Sequence, residues 1–97
     1  MAHHEIGRFE TPHGSKYLQQ LCKHFEHKIA VTYDAEQGTA ALPTGPAQLR
    51  ADPEGLTIEI EADSAEGLPR ARAIIDDHLA RFAFREDFTT MNWQPAA

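Results

Sequence analysis

The sequence predicts an α+β fold: a two-layer sandwich of an antiparallel meander sheet with two helices on one face, in the order β-α-β-β-β-β-α. Three observations carry this. Apolar residues recur at a helical period over residues 15 to about 27, and again from residue 69 to about residue 84. Between them the period falls to two, in short runs separated by turn residues. Each helix has one apolar stripe and the meander has one apolar face, so both helices are most economically laid on that face.

The elements follow in chain order. Residues 4 to 10 predict an extended segment anchored by Ile6 and Phe9. Thr11-Pro12 reads as a helix start, with Thr11 as N-cap and Pro12 at the first helical position, where its missing N–H costs nothing. Gly14 weakens that first turn by about 1 kcal/mol relative to Ala. In the helix that follows, Tyr17, Leu18, Leu21, Cys22 and Phe25 fall in one arc, with Lys16, Gln19, Gln20, Lys23 and Glu26 mostly off it. Ile29, Val31 and Tyr33 then share one face of a strand. Asp34-Ala35-Glu36-Gln37-Gly38 reads as a turn, with Gly38 suited to positive φ. Residues 39 to 42 and 47 to 51 are short strands, broken by Pro43-Thr44-Gly45-Pro46. After the turn Asp52-Pro53-Glu54-Gly55, the run Leu56-Thr57-Ile58-Glu59-Ile60-Glu61 alternates cleanly. Asp63 and Glu66 have the spacing of a capping box for the last helix, and Pro69 predicts a kink or a late start. Leu68, Ala71, Ile75, His78, Leu79 and Phe82 share its apolar face, with Ile74 at the edge. Residues 87–97 form a C-terminal tail with Phe88 and Trp93 as anchors, and the whole chain, 1–97, reads as a single domain.

The charge is acidic: 9 Lys and Arg stand against 15 Asp and Glu, a formal net charge of -6. That balance opposes binding to nucleic acid and to an anionic membrane surface, both of which need clustered cations. The single cysteine, Cys22, excludes an intramolecular disulfide and fits a reducing compartment. No apolar leader is visible after Met1 and no run is long enough to span a bilayer, so a cytoplasmic location is expected.

Candidate chemistry is confined to two stretches. His78 lies within about 60° of Ile75 on the helical wheel, inside the apolar arc. A buried imidazole must satisfy its ring nitrogens, so it is either a core residue bonded to a carbonyl or a group facing a ligand. His24 and His27 are neighbours at a spacing of three, near a helix C-terminus where positive charge is favoured. Together with His78 they are the metal-ligand candidates, for a bound metal ion. Cys22 points about 160° away from His24, toward the core, and cannot join them on a regular helix. Arg81 and Arg85 form a like-charged pair at a spacing of four, which a ligand anion or an internal carboxylate such as Glu86, Glu26 or Glu10 would relieve. His24, His27, His78, Arg81, Arg85 and Glu86 are therefore the ligand-binding candidates. Asp76-Asp77 reads as a solvated face. No phosphate loop, nucleophile elbow or CxxC pair is present, and no residue is assigned a catalytic role.

The element order resembles the half-unit of TATA-binding-protein-like or helix-grip architectures. At finer grain, the run from Tyr17 to Lys28, the run from His78 to Glu86, and Trp93 resemble domain of unknown function family 2218, over nearly the whole chain. The resemblance implies a bacterial protein of similar size. It also implies a link to iron or ferric-siderophore handling, because the domain is associated with the N-terminus of some siderophore-interacting flavoproteins. It brings no catalytic residues. The expected function is a small non-enzymatic cytoplasmic module binding a small molecule or metal complex. The alternatives are an interaction domain, acting by homodimerisation or by docking to a siderophore reductase, and a small metal-dependent enzyme.

Overall fold

A computed structural model of the chain describes residues 3–86 and 88–95. Strand β1 (His3–Glu10) leads to helix α1 (Gly14–Phe25), then to strands β2 (Val31–Tyr33), β3 (Gln37–Leu42), β4 (Gly45–Asp52) and β5 (Gly55–Ala62). Helix α2 (Gly67–Phe82) follows, then a 3-10 turn (Phe84–Glu86) and a last strand, β6 (Asn92–Pro95). The order β-α-β-β-β-β-α is the one expected, and β6 is added to it. All pairings are antiparallel and the sheet order is β2-β3-β4-β5-β1-β6.

β1 is thus threaded between β5 and β6, away from its sequence neighbours. It is the length of β5 and pairs along all of it, from His3 opposite Ala62 to Glu10 opposite Gly55. Both helices lie on the face that carries Leu56, Ile58 and Ile60, which are fully buried. Against them α1 places all five expected residues, Tyr17, Leu18, Leu21, Cys22 and Phe25. α2 contributes Leu68, Ala71, Ile75 and Leu79. Each fully buried Leu or Ile contributes about 1.5–3 kcal/mol. The other face alternates outward as Thr57, Glu59 and Glu61, crossed by ion pairs of Arg8 with Asp52 (2.9 Å) and Glu10 (3.3 Å).

Several local expectations are corrected. Thr11 does not cap α1: the helix starts at Gly14 with His13 at its N-cap, and Thr11 Oγ1 accepts from the His13 N–H before the helix begins. Gly14 is a requirement of packing, since a Cβ there would sit 2.3 Å from the Gly55 carbonyl oxygen. Gly38 is a β3 residue, and the positive φ falls at Gly45. β2 begins at Val31 because residues 26–29 continue α1 as turns, with the Ile29 N–H still donating to the Phe25 carbonyl. Asp63 forms no capping box: α2 starts late, at Gly67, without a side-chain cap. The late start puts Pro69 in the first turn, where helical N–H groups have no intrahelical acceptor. α2 ends at Phe82, two residues before the expected end.

The tail is tied down at three points. Phe88 is buried and packs on Phe9, ring centroids 4.7 Å apart. Trp93 pairs opposite Gly7 in the β1–β6 ladder and lies over it; a Cβ on Gly7 would be 2.8 Å from the indole ring. Asp76 of α2 secures this arrangement. Its carboxylate accepts from the Thr90 hydroxyl (2.7 Å), the Met91 backbone N–H (3.0 Å) and the Trp93 indole N–H (3.0 and 3.2 Å). Asp76 is therefore the anchor of the last strand and no solvated residue. Among the described residues no helix is long and apolar enough to cross a membrane.

Candidate functional site

The two singled-out stretches meet at the C-terminal end of α1. His24 lies in the last turn of α1 and His78 in the second half of α2, and their ring centroids are 4.7 Å apart. Around the pair stand two phenylalanines. Phe25 meets His78 edge to face at 5.1 Å, and Phe82 meets His24 in the same way at 6.1 Å. Both placements follow from helical spacing: His24 is at the edge of the α1 stripe beside Phe25, and Phe82 stands one turn beyond His78.

His78 is half-buried, at the rim of the core. Its Nδ1–H donates to the Ile74 carbonyl one turn back at 2.6 Å. The expected carbonyl bond is there, and it commits only one nitrogen. In the neutral tautomer Nε2 keeps a lone pair. His24 is exposed, and its pKa is held below the ordinary 6.5 by the apolar surroundings first and then by the positive fields of His78, Arg81, His27 and Lys28.

A cleft of about 350 Å³ opens beside the pair. Phe25, Ile29, Leu42, Pro43 and Ile74 make its apolar walls, and His24, His78 and Lys28 supply its polar groups. No carboxylate lines it. Such a composition, mostly apolar with a few polar groups, is that of small-molecule sites, whose volumes run from about 300 to 1,000 Å³.

The remaining candidates lie elsewhere. His27 is exposed on the turn after α1 and is outside the cleft lining. Among the described residues no group of three His, Cys, Asp or Glu is placed to hold a metal ion. Cys22 is fully buried, and desolvation, followed by the field of Glu26, pushes its thiol up to about 11. Arg85 is exposed with its guanidinium 5.6 Å from the centre of the Phe84 ring, and Arg81 is exposed near His24.

Glu86 does not meet Arg81 or Arg85. Its carboxylate accepts from the Tyr17 hydroxyl in a short hydrogen bond and from the Thr11 hydroxyl at 2.7 Å, at the opposite end of α1. These bonds lower its pKa against the raising effect of burial. Burial and the carboxylate together push the Tyr17 phenol up to about 12. The triad is closed by stacking of Tyr17 on Phe9, centroids 5.8 Å apart. Glu86 is thus part of a structural clasp. Its partners are 69 and 75 residues away in sequence, and nothing local marks them. The cleft walls Leu42 and Pro43 were likewise hidden, since they reach the site from the β3–β4 hairpin.

The NMR structure of PA4090 from Pseudomonas aeruginosa is similar to this chain, with a TM-score of 0.78, 26% sequence identity and 97% of each chain covered. No curated protein matches the chain. A family model described as an uncharacterized protein conserved in bacteria, DUF2218, matches residues 7–94, and the chain belongs to that family.

Proposed function

We propose that this protein is a small non-enzymatic cytoplasmic binding module whose ligand occupies the cleft at the C-terminal end of α1. The observation that carries the proposal is the His24–His78 pair, 4.7 Å between rings, set at the polar edge of an apolar cleft of about 350 Å³. The imidazoles touch each other, aromatic rings and a main-chain carbonyl. A hydrolytic site of the serine or cysteine type pairs its base with a hydroxyl or thiol, and neither imidazole has such a partner among the described residues. The arrangement suits holding a molecule better than cleaving one.

The iron or ferric-siderophore link comes from the family resemblance. Under it the cargo would be the metal complex held whole, with the imidazoles as polar anchors, and a siderophore reductase would be its partner. An interaction role through sheet edges has less to support it: the edge strands β2 and β6 have three and four residues, and short edges offer little ladder for pairing.

The test is NMR of the histidine ring resonances during separate additions of zinc, iron, a ferric siderophore and a set of small aromatic fragments. The proposal expects His24 and His78 to shift together and to saturate below millimolar ligand. Shifts confined to His3 and His4, or no saturable shift in any series, would overturn it.

A further inference from the structure

We infer that the cleft at the end of α1 selects aromatic carboxylates, with the ring held between the apolar walls and the carboxylate at the mouth beside His24 and Lys28. The inference rests on the ligand-site reading above and narrows it.

Charge is the first support. The chain carries a formal net charge of -6, yet this corner is cationic. The cleft lining holds Lys28 with the His24 and His78 imidazoles and no carboxylate, and Arg81 of α2 lies close enough to His24 to act on it. Among the described residues neither Lys28 nor Arg81 forms an ion pair. Arg8 and Arg72 are matched with carboxylates at 2.9 and 2.5 Å, while other surface cations such as Lys16 and Arg50 are also unpaired among the described residues; what sets Lys28 apart is that it lines an apolar cleft with no carboxylate in its lining. Like charges held together without a counter-ion repel, and an entering anion relieves that repulsion at the mouth.

Shape is the second support. The ring pairs around the histidines meet edge to face, His78 with Phe25 and His24 with Phe82. Of these rings, Phe25 and the two imidazoles line the cleft together with Ile29, Leu42, Pro43 and Ile74, and a flat aromatic body suits such a lining better than a flexible chain. The exposed His24 and Lys28 stand where the cleft opens, while Phe25 and Leu42 are buried. A ligand with a planar apolar body and one anionic end satisfies both halves at once.

The full chain would be titrated with 2-naphthoate, 2-naphthamide and octanoate, followed by calorimetry and by the backbone and ring resonances of the cleft. The expected result is sub-millimolar naphthoate binding at His24, His78 and Ile29, about fivefold or more tighter than the amide. The advantage should collapse at about 0.5 M salt, where exposed charges are screened. Lys28→Ala and His24→Ala should each weaken naphthoate about three- to fivefold more than they weaken the amide, so that the acid-over-amide ratio falls, with melting temperatures checked to exclude unfolding. Equal binding of acid and amide would overturn the anionic selection while leaving the cleft a ligand site. Tighter octanoate would overturn the aromatic selection. Failure of all three probes and of the fragment set would remove both the inference and the ligand-site reading.

Discussion

The two ends of α1 use the same chemistry to opposite ends. At the N-terminal end, Tyr17 and Thr11 both donate to Glu86, and Phe9 and Phe88 fill the space beside them. The carboxylate and both hydroxyls of this clasp have their partners inside the protein. At the C-terminal end, His24 and Lys28 have none among the described residues, and one nitrogen of His78 is uncommitted. A closed network stabilises; an open one with apolar walls is available for recognition. The difference shows that candidate residues are separated by who satisfies them, since Glu86 and His78 sit eight positions apart in one motif and serve different ends of the helix.

The comparison can be broken hardest on the closed side. Asp76→Ala removes the acceptor of the Thr90 hydroxyl, the Met91 amide and the Trp93 indole in one step. Donors left unsatisfied and half-buried cost about 1–3 kcal/mol each, so a loss of about 2–4 kcal/mol is expected. Urea unfolding would measure it, and hydrogen exchange should show the amides of β6 losing protection first.

The clasp at the N-terminal end of α1 gives the next effect. Tyr17→Phe or Glu86→Gln should cost about 1–2 kcal/mol near neutral pH. Their pH dependence separates them. Glu86 titrates below its ordinary 4.5 in the folded chain, so its contribution is complete above that value and is lost as the pH falls through the lowered one. Tyr17 titrates near 12 rather than 10, so its contribution is complete below 10 and is lost as the pH rises toward 12. Thermal melts across pH should show the acid limb flattened by Glu86→Gln and the alkaline limb flattened by Tyr17→Phe. An unchanged acid limb in Glu86→Gln would mean the clasp is not formed in solution.

At the open end the effects on stability should be small. His24→Asn is expected to change stability by less than about 0.5 kcal/mol near neutral pH, as for other exposed positions. The folded chain resists protonating His24, so wild-type stability is complete above 6.5 and declines as the pH falls through the depressed value. His24→Asn should lose that decline. A large loss of stability in this variant would make His24 part of the core and contradict the distinction between the two ends. Phe84→Ser, at a side chain 64% exposed, should fall nearest to zero by the same measurement.

The parts that were legible in sequence are those with a short-range cause. The five buried residues of α1 share one arc at 3.6 residues per turn, and Leu56, Ile58 and Ile60 alternate at a period of two. The carbonyl bond of His78 was legible, because that acceptor is one turn away, but the residue was expected in the core and stands half-buried at its rim. Half of the candidate site was legible too: His24 lay at the edge of one apolar stripe and His78 within the other, and both stripes were expected to face the same sheet. Their meeting was not, because it depends on how the helices cross. The roles of Glu86 and Asp76 were invisible for a related reason. A carboxylate's helical position gives its direction, but the donors that fill it here arrive from β6, from the segment before α1 and from α1 itself.

By itself the sequence determined the kinds and order of the elements, the apolar face of each, and the helical layer on one side of the sheet. These follow from backbone periodicity and from the need to bury one stripe per helix, which act over a few residues. Tertiary structure alone decided that β1 lies between β5 and β6, that Trp93 covers Gly7, that Glu86 belongs to Tyr17 and that His24 faces His78. Those pairings join groups 45 to 90 positions apart, and they exist only once packing has brought the ends of the elements together.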